Sequence, residues 1–298
     1  MTAPLKIGTI GFIGTGIMGF PMARHLAQAG YRVQAWNRTA EKAQRLSAFG
    51  ATVVTEANDV VHDADALICM LSSGPSCDEL LLGTHGLIAG MRPGSLLVVM
   101  SSIPVETARH QAQQAEARGI AYVDAPVSGG ERGAIEASLA IMAGGTVQAY
   151  EQALPLLEKM GRPTHVGPAG SGELAKLVNQ MMVANNIASV AEALLLAERG
   201  GADPAKVREA LLGGFADSTI LRQHALRMIS GDFAPGGPAR YQVKDTHTAI
   251  RFAASVGLDL PMLNKADQLF SDMLENGDGD LDHSGVIREL RRHNQLPV

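Results

Sequence analysis

The stretch Gly11-Phe12-Ile13-Gly14-Thr15-Gly16-Ile17-Met18-Gly19-Phe20-Pro21-Met22 constrains the fold of this chain more than any other. It follows an apolar run beginning at Ile7 and reads as a strand, a glycine turn and a helix start. In the spacing Gly14-x-Gly16-x-x-Gly19 the glycines serve a tight turn, a close approach of backbone to a pyrophosphate, and packing of the next helix on the strand. A helix is expected from Gly16 to about Ala29, with its unpaired N–H groups aimed at phosphate, and a second strand over Tyr31–Trp36. Gly14, Thr15, Gly16, Ile17 and Met18 are therefore expected to hold a dinucleotide.

About twenty residues further on, where a carboxylate normally reads the adenosine ribose of NAD, stand Asn37, Arg38 and Thr39. Asn37 does not repel a 2′-phosphate, Arg38 can clamp one through its planar fork, and Thr39 adds a hydroxyl. The triplet points to NADP, with NAD possible. The bland alternative is that it caps a helix over Glu41–Phe49.

Apolar runs then alternate with helical stretches. Strands are expected at Ala51–Val54, Ala66–Leu71, Ser95–Met100 and Ala121–Val123, with helices near Ala57–Asp63, Asp78–Leu82 and Val105–Arg118. That alternation predicts an α/β class and a doubly wound, mostly parallel sheet. Ligands of such sheets lie beyond the carboxyl ends of the strands, which singles out Leu71, Ser72 and Ser73, then Ser101, Ser102 and Ile103, then Asp124–Gly130. In the last of these, Pro126 and Val127 lead into Ser128, Gly129 and Gly130, whose backbone N–H groups can cradle a carboxylate. Its plain alternative is a turn before Gly133–Ala137. A strand over Ser138–Gly145 and a helix over Gln148–Met160 complete the domain.

Beyond Pro168 the periodicity changes. Gly170-Ser171-Gly172 introduces a long helical pattern from Glu173 to about Arg199, apolar on more than one face and so expected to be largely buried; no strand is expected after it. The boundary falls there, giving a first domain over 1–168 and an all-α domain over 169–298. Lys176 and Asn179 are three residues apart on one helix face. Nearness to the helix start and partial desolvation would lower the lysine's proton affinity into a useful range; a snorkelling surface lysine is the ordinary alternative. Further on, Lys244-Asp245 reads as the opening of a helix over Thr246–Val256.

Several classes are excluded. A net charge of -5 offers no footprint for nucleic acid, no apolar run reads as a membrane span, and Met1–Lys6 does not read as a secretory signal; a cytoplasmic protein is expected. Cys69 and Cys77 suit neither zinc nor a disulfide framework and are expected to be buried reduced thiols. Asp278-x-Asp280-x-Asp282 with Glu289 imitates a calcium loop, but His283 stands where glycine is needed. The nine histidines form no ligand spacing, so no metal is expected.

Taken together, Gly11–Met22, Asp124–Gly130 before Gly145, Gly170–Asn179 with Lys176, and Lys244-Asp245 resemble one family over essentially the whole chain: the β-hydroxyacid dehydrogenases. The resemblance implies a Rossmann domain joined by a long helix to an all-α domain that also makes dimer contacts, hence a homodimer or homotetramer. It implies Lys176 as general acid/base, and Ser128, Gly129, Gly130, Asn179 and Asp245 around a small carboxylate substrate. Ser102 and Lys244, with Leu71 and Ser72, would line the cofactor. Gly214–Ser218 and Gly279–Ser284 look closest to the tartronate semialdehyde reductase branch. The family's usual Met-Leu-Pro reads Met70-Leu71-Ser72, its acidic residue is Met100, and Gly237 replaces an aromatic that closes over the nicotinamide, which implies a wider pocket. An imine reductase shares the architecture, and a non-catalytic cofactor-binding scaffold is the remaining alternative.

Overall fold

The computed structural model describes residues 7–83 and 86–298. The chain divides into two compact units, the first ending at Lys176 and the second starting at Leu177. The division falls inside the helix Ser171–Arg199.

The strands of the first unit are β1 (Thr9–Ile13), β2 (Arg32–Trp36), β3 (Thr52–Val53), β4 (Ala66–Cys69), β5 (Leu96–Val99), β6 (Ala121–Asp124), β7 (Val127–Ser128), β8 (Leu139–Gly145) and β9 (Gly161–Gly167). They form a single sheet in the order β3-β2-β1-β4-β5-β6-β8-β7, with β9 also paired to β8. From β3 to β6 every pairing is parallel, whereas β8 runs antiparallel to β6 and β7. Such strands must be apolar on both faces, and those at the centre are fully buried. Ile10, Phe12, Ile68 and Val98 pack on one side of the sheet, and Ile13, Leu67, Leu97 and Val99 on the other. Each such side chain contributes roughly 1.5–3 kcal/mol by leaving water. Strand order reverses between β1 and β4, and this switch point places Gly14 against Met70 and Leu71.

The expected elements are present with shifted ends. The first helix is Gly19–Gln28, not Gly16 onward, because Gly16–Met18 form a turn; Phe20 N–H nonetheless donates to Gly16 O at 3.0 Å. Glu41–Phe49 is a short α-helix, Ala40–Gln44, running into a 3-10 turn, Arg45–Phe49. The segment near Ala57 is also 3-10. Two strands lie outside the sequence reading: β7, and β9, which carries Pro163 and alternates between exposed and half-buried residues. A proline and a wet face are the marks of an edge strand. Cys69 and Cys77 are buried free thiols, their Sγ atoms 3.8 Å apart.

The second unit is helical. The long helix contributes Ala184, Ile187, Ala191 and Leu194 to a core shared with Leu221, Phe270, Met273 and Val286. Contrary to the sequence expectation the helix is not buried all round: Val178, Met182 and Leu196 are exposed. By length and composition alone it could also cross a membrane, with a mean hydropathy of 1.2 over its best window; the packing of its apolar residues is that of a core helix. Side-chain caps from Asp203 and Ser218 start the helices Pro204–Leu211 and Thr219–Ser230.

Candidate active site

The glycine turn is built by contact. Gly14 has φ +90°, and a Cβ on it would lie 2.1 Å from Met70 O; one on Gly19 would lie 1.8 Å from Gly14 O. Gly16 differs, since a Cβ there would meet nothing within 4 Å. The first and third glycines thus close the turn against β4 and the helix, and the second keeps an approach open. Thr15 is buried, its N–H donates to Asn37 Oδ1 at 3.0 Å, and its own Oγ1 is buried without a partner. Ile17 is 71% exposed at the mouth of the turn.

Asn37 therefore has a task the sequence did not show. Its carboxamide ties the turn to the end of β2 and also donates to Thr39 O at 2.9 Å. Arg38 and Thr39 are exposed. Thr39 occupies the cap position of Ala40–Gln44 but its side chain makes no capping bond, so the capping alternative is not realised. A cavity of about 340 Å³ opens beside the turn, with Thr15, Gly16, Arg24, Lys42, Arg45 and Glu131 in its lining. Lys42 and Arg45 were missed in the sequence; their signal is a spacing of three residues after Thr39, which keeps them on one helical face. The Arg45 guanidinium is further held 4.1 Å from the Phe20 ring centroid.

At the carboxyl ends of β4 and β5, Leu71 N–H donates to Ser101 Oγ at 2.7 Å, fixing the loop that carries Ser72, which is exposed. Ser102 is half-buried. After β6, Gly129 and Gly130 have φ +140° and +62°, and a Cβ on Gly130 would meet nothing within 4 Å. Two successive positive φ values at a helix start, here Gly130–Ile135 in place of the expected Gly133–Ala137, leave amides presented after Ser128.

Lys176 reaches this loop. Its Nζ donates to Val127 O at 2.9 Å, at the residue before Ser128. The long helix is pinned for this by Asp124 at the end of β6, whose carboxylate accepts from Gly170 N–H at 2.8 Å and Glu173 N–H at 2.9 Å. Gly172 permits the close approach, since a Cβ there would lie 2.4 Å from Met142 O and 2.5 Å from Asp124 O. Burial pushes the carboxyls of Asp124 and Glu173 upward, that of Glu173 further, because the amides of Gly170 and Glu173 favour the charged form of Asp124.

In the second unit Asn179 Nδ2 donates to Gln180 Oε1 at 2.8 Å, and Gln180 Nε2 to Asp245 Oδ2 at 2.7 Å. Lys244 pairs with Asp245 at 3.3 Å. These two residues lie in the middle of the helix Ala239–Ser255 and do not open one, because Pro238 supplies the cap six residues earlier. The calcium-like residues have other partners: Asp278 binds Arg288 and Arg292, and Asp282 accepts from the N–H groups of Gly236, Gly237 and Ser284. At Gly237 the room for a side chain is partly taken, since a Cβ would meet His283 Cε1 at 3.2 Å.

His283 Nε2 faces His224 Nε2 at 2.8 Å, and burial lowers its pKa from the ordinary 6.5 to about 4. The unfolded chain takes up this proton below about pH 6.5 and the folded chain only below about pH 4, so stability falls between them by roughly 3 kcal/mol. His283→Asn should lose less in melting temperature than the parent between about pH 7 and pH 4; parallel slopes in a thermal melt series would contradict this.

Comparison with known proteins follows the same division. Residues 9–170 match the NAD-binding domain of 6-phosphogluconate dehydrogenase, and residues 170–290 the NAD-binding domain of NADP-dependent 3-hydroxyisobutyrate dehydrogenase. The chain is 42% identical over 283 residues to 2-hydroxy-3-oxopropionate reductase of Escherichia coli, covering 94% of this chain and 96% of the relative. It is 32% identical over 289 residues to glyoxylate/succinic semialdehyde reductase 2 of Arabidopsis thaliana, covering 96% and 81%. Among solved structures, Mycobacterium tuberculosis 3-hydroxyisobutyrate dehydrogenase with L-serine superposes with a TM-score of 0.88 at 32% identity, covering 96% of this chain and 100% of that one.

Proposed function

Because this chain belongs to the NAD(P)-dependent β-hydroxyacid dehydrogenase family, we propose that it uses NADP(H) to interconvert a small β-hydroxy carboxylate and its semialdehyde or ketone. It is an oxidoreductase acting on CH–OH groups. The observation that carries the reading is Lys176 Nζ at 2.9 Å from Val127 O, at the entrance to Ser128-Gly129-Gly130. A proton donor and a carboxylate cradle then meet at one loop.

The residues fit a dinucleotide. Open space above Gly16, the buried unpartnered Thr15 hydroxyl and a helix start with no acidic residue in its first turn all suit a pyrophosphate. Ile17, Met18, Leu71, Ser72 and Ser102 of the first unit are the further residues proposed to line the cofactor, and the family resemblance assigns Lys244 to it as well. The cofactor supplies hydride. Lys176 gives its proton to the carbonyl oxygen of the substrate in reduction and takes it back from the hydroxyl in oxidation. The amides of Gly129 and Gly130, with the Ser128 hydroxyl, orient the substrate carboxylate, and Asn179 and Asp245 hold its other polar groups. The E. coli relative supports a three-carbon semialdehyde, and L-serine with the M. tuberculosis enzyme is itself a small β-hydroxy carboxylate. A homodimer or homotetramer would cover the exposed Val178, Met182 and Leu196.

Preference for NADP rests on Arg38 and Thr39, unencumbered at the end of β2, and on Lys42 and Arg45 beyond them. A bidentate guanidinium–phosphate pair is worth about 1.5–3 kcal/mol. Arg38→Ala should therefore raise KM for NADPH by roughly tenfold or more with little change for NADH. Equal effects on the two cofactors would remove the phosphate reading.

A further inference from the structure

The second unit brings together two imidazoles and a carboxylate that hydride transfer does not use. His224 lies on the helix Thr219–Ser230, and Asp282 caps the 3-10 turn His283–Gly285. The two Nε2 atoms are 2.8 Å apart, and a ring nitrogen of each histidine lies within 4.8 Å of a carboxylate oxygen of Asp282. The histidines stand 59 residues apart in the chain, so no ligand spacing is legible in the sequence. Asp282 is held rigidly: one oxygen accepts from the N–H groups of Gly236 and Gly237, the other from the N–H and hydroxyl of Ser284. Arg227 Nε stands 3.6 Å from this carboxylate, but its guanidinium donates to the carbonyls of Asp232 and Ala234. His224 Nδ1 is buried and has no hydrogen-bond partner among the described residues, so no bond on that side fixes the tautomer of the ring.

We propose that His224, Asp282 and His283 form a site for one divalent transition-metal ion, zinc being the best match to two imidazoles and a carboxylate. Two imidazole nitrogens that meet at this distance share either a proton or a ligand. Zinc binds each nitrogen at about 2.0–2.1 Å, so the pair has to open by only about half an ångström to straddle the ion at the tetrahedral angle. The ring that carries its proton on Nε2 moves it to Nδ1 by exchange with water, and both Nε2 lone pairs then face the metal. Among the donors to Asp282, the Ser284 hydroxyl is the one that can rotate away and release a lone pair without stranding a backbone group. Solvent completes the coordination. The ion would tie the helix Thr219–Ser230 to the Gly236–Gly237 approach through Asp282. All of these residues belong to the second unit, so the proposal is independent of the oxidoreductase reading.

Calorimetric titration of the chelator-treated protein with zinc chloride tests this, and one equivalent should bind per chain. His224→Gln and His283→Gln should each weaken zinc by about tenfold or more. His293→Gln serves as the control, because His293 belongs to a separate grouping with Asp272 and Glu289, and it should bind zinc as the parent does. In proton NMR of the parent, zinc should move the ring resonances of two of the nine histidines. A parent that binds no zinc, or a His224→Gln protein that binds it equally well, would overturn the proposal and leave the two rings as a hydrogen-bonded pair. Loss of zinc in His293→Gln alone would overturn it too, by placing the ion elsewhere. Should neither site variant fold, the parent spectrum decides: zinc that leaves every histidine resonance in place, or moves only one, contradicts the site.

Discussion

Lys176→Ala should lower kcat by roughly 10²–10⁴-fold, the usual worth of a positioned acid/base, while the affinity for NADPH stays within about twofold of the parent. The reason is spatial. Lys176 sits at the Ser128–Gly130 loop through Val127 O, whereas the glycine turn, Asn37 and the basic cavity are built from other residues of the first unit. The role proposed for its side chain is proton transfer at one oxygen, with no part in the dinucleotide cradle. Turnover and fluorescence titration of NADPH on the same preparation separate the two. Near-normal turnover would refute the lysine's role, and loss of binding in step with turnover would place it in the cofactor site instead.

The second large effect concerns the glycines of the turn, which should respond in opposite ways. In Gly19→Ala the new methyl meets Gly14 O at 1.8 Å, a contact that backbone must move to relieve. A loss of stability of roughly 3 kcal/mol is expected, the upper range for overpacking, together with loss of the cofactor. In Gly16→Ala the methyl meets nothing, so stability should stay within about 1 kcal/mol. Its methyl would stand where the pyrophosphate approaches, and NADPH affinity should fall by about tenfold or more, as expected when a backbone contact is blocked. Denaturant melts paired with NADPH titrations check both. A Gly16→Ala protein that binds normally would show that the open space is not the phosphate site.

The turn and its strands were legible in the sequence because the requirement is geometric: Gly14, Gly16 and Gly19 have fixed tasks, and apolar runs such as Ile10–Ile13 have no alternative to burial on both faces. Lys176 was legible as a cation on an apolar helix. Its neighbours were less so. Glu173 in a first helical turn reads as an ordinary dipole-favoured acid, and nothing in the sequence shows that Asp124, 49 residues earlier, has already taken the Glu173 amide. Asn37 reads in the sequence only as a residue that does not repel a 2′-phosphate, and the bond its carboxamide accepts from Thr15 N–H is visible only in the structure. Lys244 and Asp245 were misplaced at a helix end because the glycine- and proline-rich approach hid a cap at Pro238. β9 was obscured by Pro163 and by a pattern without a continuous apolar run.

The central claim, NADPH-driven reduction of a small carboxylate-bearing carbonyl, is tested most directly by following NADPH and NADH oxidation by the purified protein with tartronate, succinic and methylmalonate semialdehydes. Turnover with at least one of them, faster with NADPH than with NADH and lost in Lys176→Ala, is the predicted result; oxidation of neither cofactor with any of the three would contradict it.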